Sequence, residues 1–223
     1  MTSISVVIPA FNAERFLREA IESVLRQSLA PEEILVVNDG STDGTAELCR
    51  RMGAVTLIDL PHGGVSRARN AGVAAAAGDL IAFLDADDFW LPSKLEKQVQ
   101  LLELQPEADI AICRQGYSFE GPVPPWFRGP VDGGSEMGTV PSNWLIRRRV
   151  WDGVGPFDET LTHGEDTDWW SRAVDAGVRW VLVDELLVVH RIHDANASGN
   201  APAVAEGVLR ALRRSVARKR TAQ

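Results

Sequence analysis

Two acidic residues that follow an apolar run are the first candidates for chemistry in this sequence. The run LIAFL, residues 80–84, reads as a buried strand and is followed directly by DADD, residues 85–88. Because alternate residues of a nearly extended chain project to the same side, Asp85 and Asp87 can share one ligand, whereas Asp88 points elsewhere. A hard divalent cation combines one or two carboxylates with substrate phosphates. The segment therefore predicts a metal site, with an acidic turn that caps the next helix as the alternative.

A second polar segment, NDGSTDGT at residues 38–45, follows the strand-like ILVV. Its two Asp-Gly pairs are turn signals, so Asp43 is interpreted as the cap of a helix. Asp39 lies nearer the strand, where a carboxylate can accept the N–H of a nucleobase. Arg67 and Arg69 stand at the start of a further helix. A guanidinium there can hold phosphate with help from the helix N-terminus, or form a surface ion pair.

The hydrophobic pattern predicts the elements that position these residues. Short apolar runs alternate with segments of helical periodicity. Strands are expected at 4–8, 34–37, 55–58 and 80–84, and helices from Asn12 as N-cap and near 44–52, 66–77 and 92–105. This alternation is typical of an α/β fold with a mostly parallel central sheet and helices on both faces. Ligands bind beyond the carboxyl ends of such strands, where PAFN, NDGSTDG and DADD all lie.

The second half of the chain is less regular. Residues 116–142 hold six Gly and five Pro without periodicity, so they are predicted to form a long functional or mobile loop. WLIRR, a GVGPFDE turn, a helix near 166–176 and the strand-like WVLV and LLVVH follow. A last helix is expected over 203–218, with one apolar stripe and arginines on its other faces. The stripe consists of Val204, Val208, Leu212 and Val216.

Composition argues against several classes of protein. The 223 residues are 45% hydrophobic and 24% charged, as in a folded domain, and the net charge of -8 disfavours a dedicated nucleic-acid binder. Cys49 and Cys113 are too few for a disulfide framework and lack a metal-ligand spacing. A signal region and a membrane span of ~20 apolar residues are both missing, so cytoplasmic residence is expected. Residues 210–223 carry six Lys/Arg and no acid, which makes peripheral membrane contact a candidate.

Five segments resemble the inverting family 2 glycosyltransferases of the GT-A fold. They are VVIPAFNAERFLREAIESVLRQS, VVNDGSTDGT, GGVSRARNAG, FLDADDFW and GEDTDWW, and they follow one another over most of the chain. No single segment is decisive, but five segments in the same order as in the family make the resemblance specific. The resemblance implies a GT-A fold and transfer of a sugar from a nucleotide-diphosphate donor to an acceptor.

The resemblance also implies roles for individual residues. The donor residues are Pro9, Phe11, Asn12 and Asp39 for the nucleobase, Arg69 for the diphosphate, Asp85 for the ribose or metal, and Asp87 for the metal. In the GED segment, Asp166 is implied as the catalytic base and Glu165 as part of the acceptor site. Without the resemblance, this acidic pair reads as the first turn of a helix, favoured by the helix dipole.

The chemistry of sugar transfer requires groups of this kind. Breaking the bond between an anomeric carbon and phosphate leaves a diphosphate, whose charge Mn²⁺ or Mg²⁺ and an arginine can stabilise. The acceptor hydroxyl must lose a proton to a carboxylate across the anomeric carbon from the leaving group. A single base with in-line attack predicts inversion. UDP is the expected nucleotide, and the absence of a Gln-x-x-Arg-Trp motif and of membrane spans predicts single additions.

A third candidate metal ligand comes from HRIHDANAS, residues 190–198, which is similar to the family segment Arg-x-His-x-x-Asn-x-Ser. In that segment the histidine can complete the metal and diphosphate site, so His193 is a candidate ligand, with an ordinary loop histidine as the alternative. His190 stands where an aromatic residue is common, which leaves the role of Arg191 open.

Aromatic residues are candidates for contact with the acceptor. Trp169 and Trp170 are adjacent on a predicted helix and face different ways, so one can stack on a sugar and the other packs in the core; we assign Trp169 to the acceptor site. Trp126 and Phe127 in the long loop can cover an acceptor or simply anchor the loop.

Other classes of function fit the sequence less well. A nucleotidyltransferase or a dinucleotide-dependent dehydrogenase needs a Gly-rich loop after the first strand, where PAFNAE stands. A non-catalytic module that binds a nucleotide-sugar or a protein partner is expected to have lost Asp87 or Asp166, and both are present. The acceptor is left open among a saccharide, a lipid-linked glycan, a peptide and a small metabolite.

The expected organisation is a catalytic domain, residues 1–202, followed by a basic C-terminal helix, residues 203–223. Within the catalytic domain, residues 1–115 are expected to bind nucleotide and residues 116–202 to bind the acceptor. The C-terminal helix is expected to pack on the domain or to contact a protein or membrane surface.

Overall fold

A computed structural model describes residues 3–221 apart from 195, 197 and 198, and has one central sheet. Nine strands belong to it within these residues: β1 (Ile4–Ala10), β2 (Glu33–Asp39), β3 (Thr56–Leu60), β4 (Leu80–Phe83), β5 (Phe89–Trp90), β6 (Ile110–Phe119), β7 (Glu136–Met137), β8 (Leu145–Arg147) and β9 (Trp180–Ile192). Their order is β3-β2-β1-β4-β8-β6-β9-β5, with β7 paired to β6. The first four of these neighbours are parallel, and β8 joins them antiparallel to both β4 and β6.

Helices cover both faces of the sheet. They are α1 (Leu17–Leu25), α2 (Thr45–Met52), α3 (Val65–Ala75), α4 (Lys94–Leu104), α5 (Arg148–Val154), α6 (Glu165–Asp175) and α7 (Ala201–Thr221), with a short 3₁₀ helix at Pro141–Asn143. Apolar residues of α1, α2 and α4 pack on one face of the sheet, and those of α3, α5 and α6 pack on the other. Because both faces of β1 are covered, all seven of its residues are buried, as its continuous apolar run predicts.

The first predicted helix begins later than expected. Asn12 does not cap it, and α1 starts only at Leu17. Asn12 has a left-handed backbone, with φ of 48°, and its side-chain oxygen accepts the N–H of Thr42 at 2.8 Å. Since this side chain fastens the end of β1 to the loop after β2, residues 13–16 form a turn before the helix can begin.

The predicted loop at 116–142 is shorter than expected. β6 continues through Phe119 because it pairs in parallel with β9 as far as Ile192. Gly116 helps this pairing, since a Cβ there would stand 2.9 Å from the side chain of Leu186. The same pairing joins the two predicted strands WVLV and LLVVH into β9, with an irregular register near Arg114. Helix α5 was not predicted from the sequence.

The C-terminal helix α7 packs along α6. Its packed side carries the small residues Gly207, Ala211 and Ser215, one position away from the apolar stripe expected from the sequence. Leu212 and Val216 of that stripe are 50% exposed. The predicted range 203–223 ends with two residues outside the described part of the chain. Among the described residues, none of the helices is both long and apolar enough to cross a bilayer.

Candidate active site

A cleft of about 1210 Å³ opens at the carboxyl ends of β1 and β4 and extends to the first turns of α6 and α7. Most of the site residues expected from the sequence line it: Pro9, Phe11, Asn12, Arg69, Asp85, Asp87, Glu165, Asp166 and His193. Two of the expected residues do not, namely Asp39 and Trp169. The fold thus brings together residues from both halves of the sequence.

At one end of the cleft, Asp39 holds the turn that precedes α3. Its two carboxylate oxygens accept the N–H groups of Gly63 and Gly64, each at 2.8 Å, and Nδ1 of His62 lies 2.9 Å from Oδ2. The His62 ring stacks on the half-exposed Phe11 ring with 4.3 Å between centroids. Asp39 is therefore buried beside the cleft, and the flat surface at this end belongs to Phe11 and His62.

The helix-capping interpretation of Asp43 agrees with its contacts. Its Oδ1 accepts the N–H of Thr45, the first residue of α2, at 3.0 Å, and Oδ2 accepts the N–H of Glu14 at 3.1 Å. The carboxylate thereby ties the start of α2 to the turn after β1, away from the centre of the cleft.

Arg69 lies at the centre of the cleft and is almost completely buried. Its Nη2 donates to Oδ1 of Asp85 at 2.7 Å, and its Nη1 donates to Oε1 of Glu165 at 2.9 Å. Burial alone would raise the pKa of Asp85, but the Arg69 guanidinium holds that pKa below its usual value. The two anions likewise keep the pKa of Arg69 raised despite its burial. Arg69 therefore joins the end of β4 to the start of α6 as a permanent cation.

Asp87 carries a poorly compensated charge beside His193. Oδ2 of Asp87 lies 3.1 Å from Nε2 of His193 and accepts an N–H from the side chain of Asn196 at 3.2 Å. Burial, together with the carboxylates of Asp88 and Asp85, raises the pKa of Asp87 to about 6. A cation at this point would relieve that repulsion.

The residues present fit a metal ion that is completed by substrate. Among the residues that the structure describes, no three His, Cys, Asp or Glu side chains converge as a closed metal site. Asp87 and His193 supply two converging ligand atoms, while Asp85 has committed one oxygen to Arg69. A Mg²⁺-like ion bound by one or two side chains takes its other ligands from phosphates and water. The carboxylate of Asp87 and the imidazole of His193 suit an open metal site of this kind.

Asp88 turns away from the metal candidates and organises the neighbouring strand. It accepts the backbone N–H of Arg191 at 3.1 Å and faces Nδ1 of His190 at 2.5 Å. Although burial would lower the pKa of His190, Asp88 raises it. Arg191 also lines the cleft, and its guanidinium donates to the Asp87 carbonyl and to Glu19, which holds the backbone at Asp87 in place.

The candidate base lies in the first turn of α6. The backbone before it turns at Gly164, which has a φ of 76° and leads directly into Glu165 and Asp166. Oδ1 of Asp166 accepts the N–H of Thr167 at 2.6 Å. Burial and the adjacent Glu165 carboxylate raise the pKa of Asp166, although Arg69 opposes the shift. A carboxylate with a raised pKa is better suited to accept a proton near neutral pH.

The assignment of Trp169 to the acceptor site is wrong. Its ring is fully buried, stacks on Trp144 with 5.3 Å between centroids, and donates its indole N–H to the Gly155 carbonyl. Trp170 also contacts Trp144 and packs toward Trp180. Both tryptophans therefore face the core because α6 lies between the sheet and α7.

A family model described as Glycosyl transferase family 2 matches residues 5–155, which is more than half of the chain. The chain belongs to this family. Membership confirms the family resemblance, four of whose five segments lie within the matched residues, and the glycosyltransferase class that it implied.

Curated relatives of this family 2 chain include two bacterial proteins named as uncharacterized glycosyltransferases. EpsJ of Bacillus subtilis (strain 168) is 30% identical over 209 residues, which cover 84% of this chain and 60% of EpsJ. YibD of Escherichia coli (strain K12) is 29% identical over 217 residues, covering 87% of this chain and 63% of YibD. The chain therefore spans about three fifths of the length of these relatives.

Solved structures similar to this family 2 chain include TarS of S. aureus. TarS 1–349 in complex with UDP-GlcNAc has a TM-score of 0.74 and 20% identity, covering 89% of this chain and 61% of the TarS chain. The complex of TarS 1–349 with UDP has a TM-score of 0.71 and 20% identity, covering 93% and 65%. Likeness at this level of identity shows the fold, and the predicted GT-A architecture is confirmed.

Sequence reasoning missed a polar wall of the cleft in this family 2 chain. Gln115 and Tyr117 on β6, Glu136 on β7 and His190 on β9 line it next to Asp88. Nε2 of His190 lies 3.0 Å from Oε1 of Gln115, whose amide donates to the Tyr117 hydroxyl at 2.8 Å. The pairing of β6 with β9 and β7 assembles this wall, and no periodicity in 116–142 indicated that register.

Two loop aromatics and the start of α7 form the remaining wall. Trp126 and Phe127 line the cleft, as do Val204 and Val208 of α7. Phe127 packs edge-on against Tyr117, with 4.7 Å between centroids. Ser198, the serine of the predicted segment 190–198, lies outside the described residues.

Proposed function

We propose that this family 2 chain transfers a single sugar from a nucleotide-diphosphate donor, expected to be a UDP-sugar, to an acceptor hydroxyl, with inversion at the anomeric carbon. The observation that carries the proposal is the common cleft of Asp87 and Asp166, bridged by Arg69 between Asp85 and Glu165. Such a cleft offers a carboxylate for a phosphate-bound cation and a second carboxylate for a proton.

The nucleotide is proposed to bind at the carboxyl ends of β1 and β2. Pro9, Phe11 and Asn12 line this end, and the exposed Phe11 ring offers a face on which a base can stack. Asp39 retains lone pairs for a nucleobase N–H, since a carboxylate has about four acceptor positions. The TarS structures, which hold UDP and UDP-GlcNAc, support a uridine nucleotide.

The diphosphate is proposed to lie between Arg69 and the acidic segment DADD, residues 85–88. Asp87 and His193 would hold Mn²⁺ or Mg²⁺, with Asp85 close by. The ion would supply positive charge to the leaving diphosphate. Arg69 lines the same cleft, and its guanidinium keeps its positive charge between Asp85 and Glu165. Both cations are thus available where negative charge develops.

Asp166 is proposed to act as the general base. Its Oδ1 is occupied by the Thr167 N–H, and its Oδ2 has no hydrogen-bond partner within the described residues. The acceptor O–H gives its proton to Oδ2 while the acceptor oxygen bonds to the anomeric carbon. The bond from that carbon to the donor phosphate oxygen breaks, and its electron pair leaves with the diphosphate. Glu165 accepts a hydrogen bond from Arg69 and orders the turn that carries Asp166.

The acceptor is proposed to enter between the long loop and α7. Trp126 and Phe127 stand on one side of this opening, Val204 and Val208 on the other, and Asp166 lies inside. An aromatic and aliphatic entrance suits the apolar face of a sugar ring or the linker of a lipid-linked glycan.

The outward face of α7 is proposed to contact an anionic membrane surface. Leu209, Leu212 and Val216 are at least half exposed on this face, at helical spacing. Arg213 and Arg220 lie on the same side and form no ion pair among the described residues, so their charge is available to anionic lipid. An anionic lipid surface matches this combination of exposed apolar and basic groups.

The test is a panel of labelled sugar nucleotides, each incubated with the protein and either Mn²⁺ or EDTA. Metal-dependent release of UDP from one donor, and an acceptor product of opposite anomeric configuration by NMR, are expected. Tight binding of a donor without turnover on any acceptor or water would instead make the chain a non-catalytic nucleotide-sugar-binding module.

A further inference from the structure

The turn that precedes the candidate base touches α7 backbone to backbone. A Cβ added to Gly164 would lie 2.6 Å from the carbonyl carbon of Gly207. A Cβ added to Gly207 would lie 2.6 Å from the carbonyl carbon of His163 and would collide with its oxygen. Because real Cβ atoms do not approach other atoms this closely, only a glycine at each position permits the observed contact.

Gly207 stands where a helix would otherwise disfavour glycine. It is the seventh residue of α7, well inside the helix, and glycine is the poorest helix former apart from proline. Gly153 in α5 provides the contrast, since a Cβ there would meet nothing within 4 Å. The close contact with His163 and Gly164 accounts for glycine at 207.

Neither partner in this contact is free to move aside. On α7, Ala211 is fully buried, and Arg214 and Arg218 reach across to the acids of the domain. Three contacts fix this side: Arg214 to Asp158 at 2.7 Å, Arg218 to Asp175 at 2.9 Å, and Ser215 to Asp175 at 3.0 Å. On α6, the buried Trp169 fixes the helix one turn after the base. A larger residue at 207 must therefore displace the turn, the helix, or both.

We propose that Gly207 is a positioning residue for the catalytic base, an inference that rests on the proposed role of Asp166. By letting α7 approach the turn at Gly164, it sets where α6 begins and therefore where the Asp166 carboxylate stands. The same helix lines the cleft with Val204 and Val208, so its position also sets the width of the acceptor entrance. Helix α7 is in this way part of the catalytic site.

The test compares Gly207→Ala and Gly207→Val with the control Gly153→Ala. All three raise side-chain bulk in a helix, but only the changes at 207 meet the turn. Turnover is expected to fall about 10-fold to 100-fold in Gly207→Ala and further in Gly207→Val, because displacement of a reacting group by about 1 Å can cost 10²-fold in rate. UDP affinity is expected to stay within twofold of the parent, since the nucleotide end of the cleft is remote from α7.

A role in stability alone gives the opposite pattern. Alanine is a better helix former than glycine, so Gly207→Ala would then leave kcat unchanged in folded protein, as Gly153→Ala does. Parent-like kcat in Gly207→Ala overturns the proposal. If Gly207→Ala fails to fold by circular dichroism, Arg214→Gln decides, since it loosens the same docking without a clash. Reduced kcat with unchanged UDP affinity supports the proposal, and parent-like kcat overturns it.

Asp166→Asn is measured alongside to separate this inference from the proposed function. Loss of turnover in Asp166→Asn with parent-like Gly207→Ala rejects only the positioning role of α7. Full turnover in Asp166→Asn rejects the base itself, and the positioning role with it.

Discussion

Nη1 of Arg69 lies 2.9 Å from Oε1 of Glu165, which is 96 residues away in the sequence. The other terminal nitrogen of this guanidinium lies 2.7 Å from Asp85. Arg69 thus connects the acidic segment proposed to bind the donor with the turn proposed to carry the base. Since the three charged groups are largely buried, the cleft depends on their remaining together.

Replacing Arg69 by methionine is expected to destabilise the fold by about 3 kcal/mol, because removal of one partner leaves buried carboxylates without compensation. The measurement is urea unfolding at neutral pH. Arg67→Met is the control, since Arg67 lies on the same helix and donates only to the Pro61 carbonyl at an exposed position. Equal stability of the two variants would mean that the bridge does not hold the cleft together.

Asp87→Ala is expected to abolish the effect of Mn²⁺ on UDP affinity while the fold is retained, because its carboxylate faces the cleft beside His193. Isothermal titration of UDP with and without Mn²⁺ measures this effect. Asp152→Ala, at an exposed position on α5, is the control. An undiminished metal effect in Asp87→Ala excludes Asp87 as the ligand.

The sequence predicted the nucleotide half of the site better than the acceptor half, for a physical reason. Parallel strands that are buried on both faces leave apolar runs, so the residues after β1, β2 and β4 could be placed at one edge of the sheet. The wall that contains Tyr117 and Glu136 depends on how β6 pairs with β9, and such pairing between distant strands leaves no local periodicity. Trp169 was misplaced because its helix packs between the sheet and α7.

The C-terminal helix shows the same limit of sequence reasoning. Apolar periodicity found the helix but selected the stripe that contains Leu212 and Val216, which the structure leaves half exposed. Small residues such as Gly207 make the contact with α6, because they allow close backbone approach and because arginines beside them reach domain acids. The division into a catalytic domain, residues 1–202, and a separate C-terminal helix stays a prediction.

The pKa of Asp87 makes the metal-free fold sensitive to pH. A pKa of about 6 in the folded state exceeds that of an unfolded aspartate, so the folded protein favours the protonated form. Stability is therefore expected to fall as pH rises from about 4 to 6. In EDTA, Asp87→Asn should be more stable than the parent by about 1 kcal/mol at pH 7, a value reduced for solvent screening. The gain should vanish at pH 4.

Thermal unfolding of the parent and Asp87→Asn at pH 4 and pH 7 measures this difference. Mn²⁺ should stabilise the parent at pH 7, because the cation compensates the charge of the Asp87 carboxylate. It should leave Asp87→Asn unaffected, because that variant has no carboxylate at this position. A gain in Asp87→Asn that is the same at both pH values would assign the effect to packing instead of charge.

Asp166→Asn is expected to lower turnover by about two to four orders of magnitude with little change in UDP affinity, since only the proton acceptor is lost. Steady-state transfer assays and UDP titrations measure the two effects separately. Asp152→Asn is the control for an exposed acid on another helix. Retention of more than a tenth of the parent turnover would move the base elsewhere, with Glu165 as the next candidate.

The outward face of α7 is expected to bind anionic vesicles at low salt. Three of the basic residues at the C-terminus, Arg214, Arg218 and Lys219, are already paired with acids of the domain. Arg213 and Arg220 therefore supply most of the free charge on this face, at about 1 kcal/mol each near an anionic surface.

The decisive comparison is co-sedimentation of the parent, a triple variant and a matched control with phosphatidylserine-containing vesicles. The triple variant is Leu209→Ser, Leu212→Ser and Val216→Ser, and the control is Leu104→Ser, at a position 79% exposed on α4. The parent and the control should sediment in low salt and less in high salt, because the Debye length shortens to about 3 Å at 1 M. The triple variant should remain in the supernatant while keeping its turnover on a soluble acceptor. If all three proteins sediment equally, or none sediments, the outward face of α7 is excluded as a membrane contact. A protein surface would then be the partner of this face.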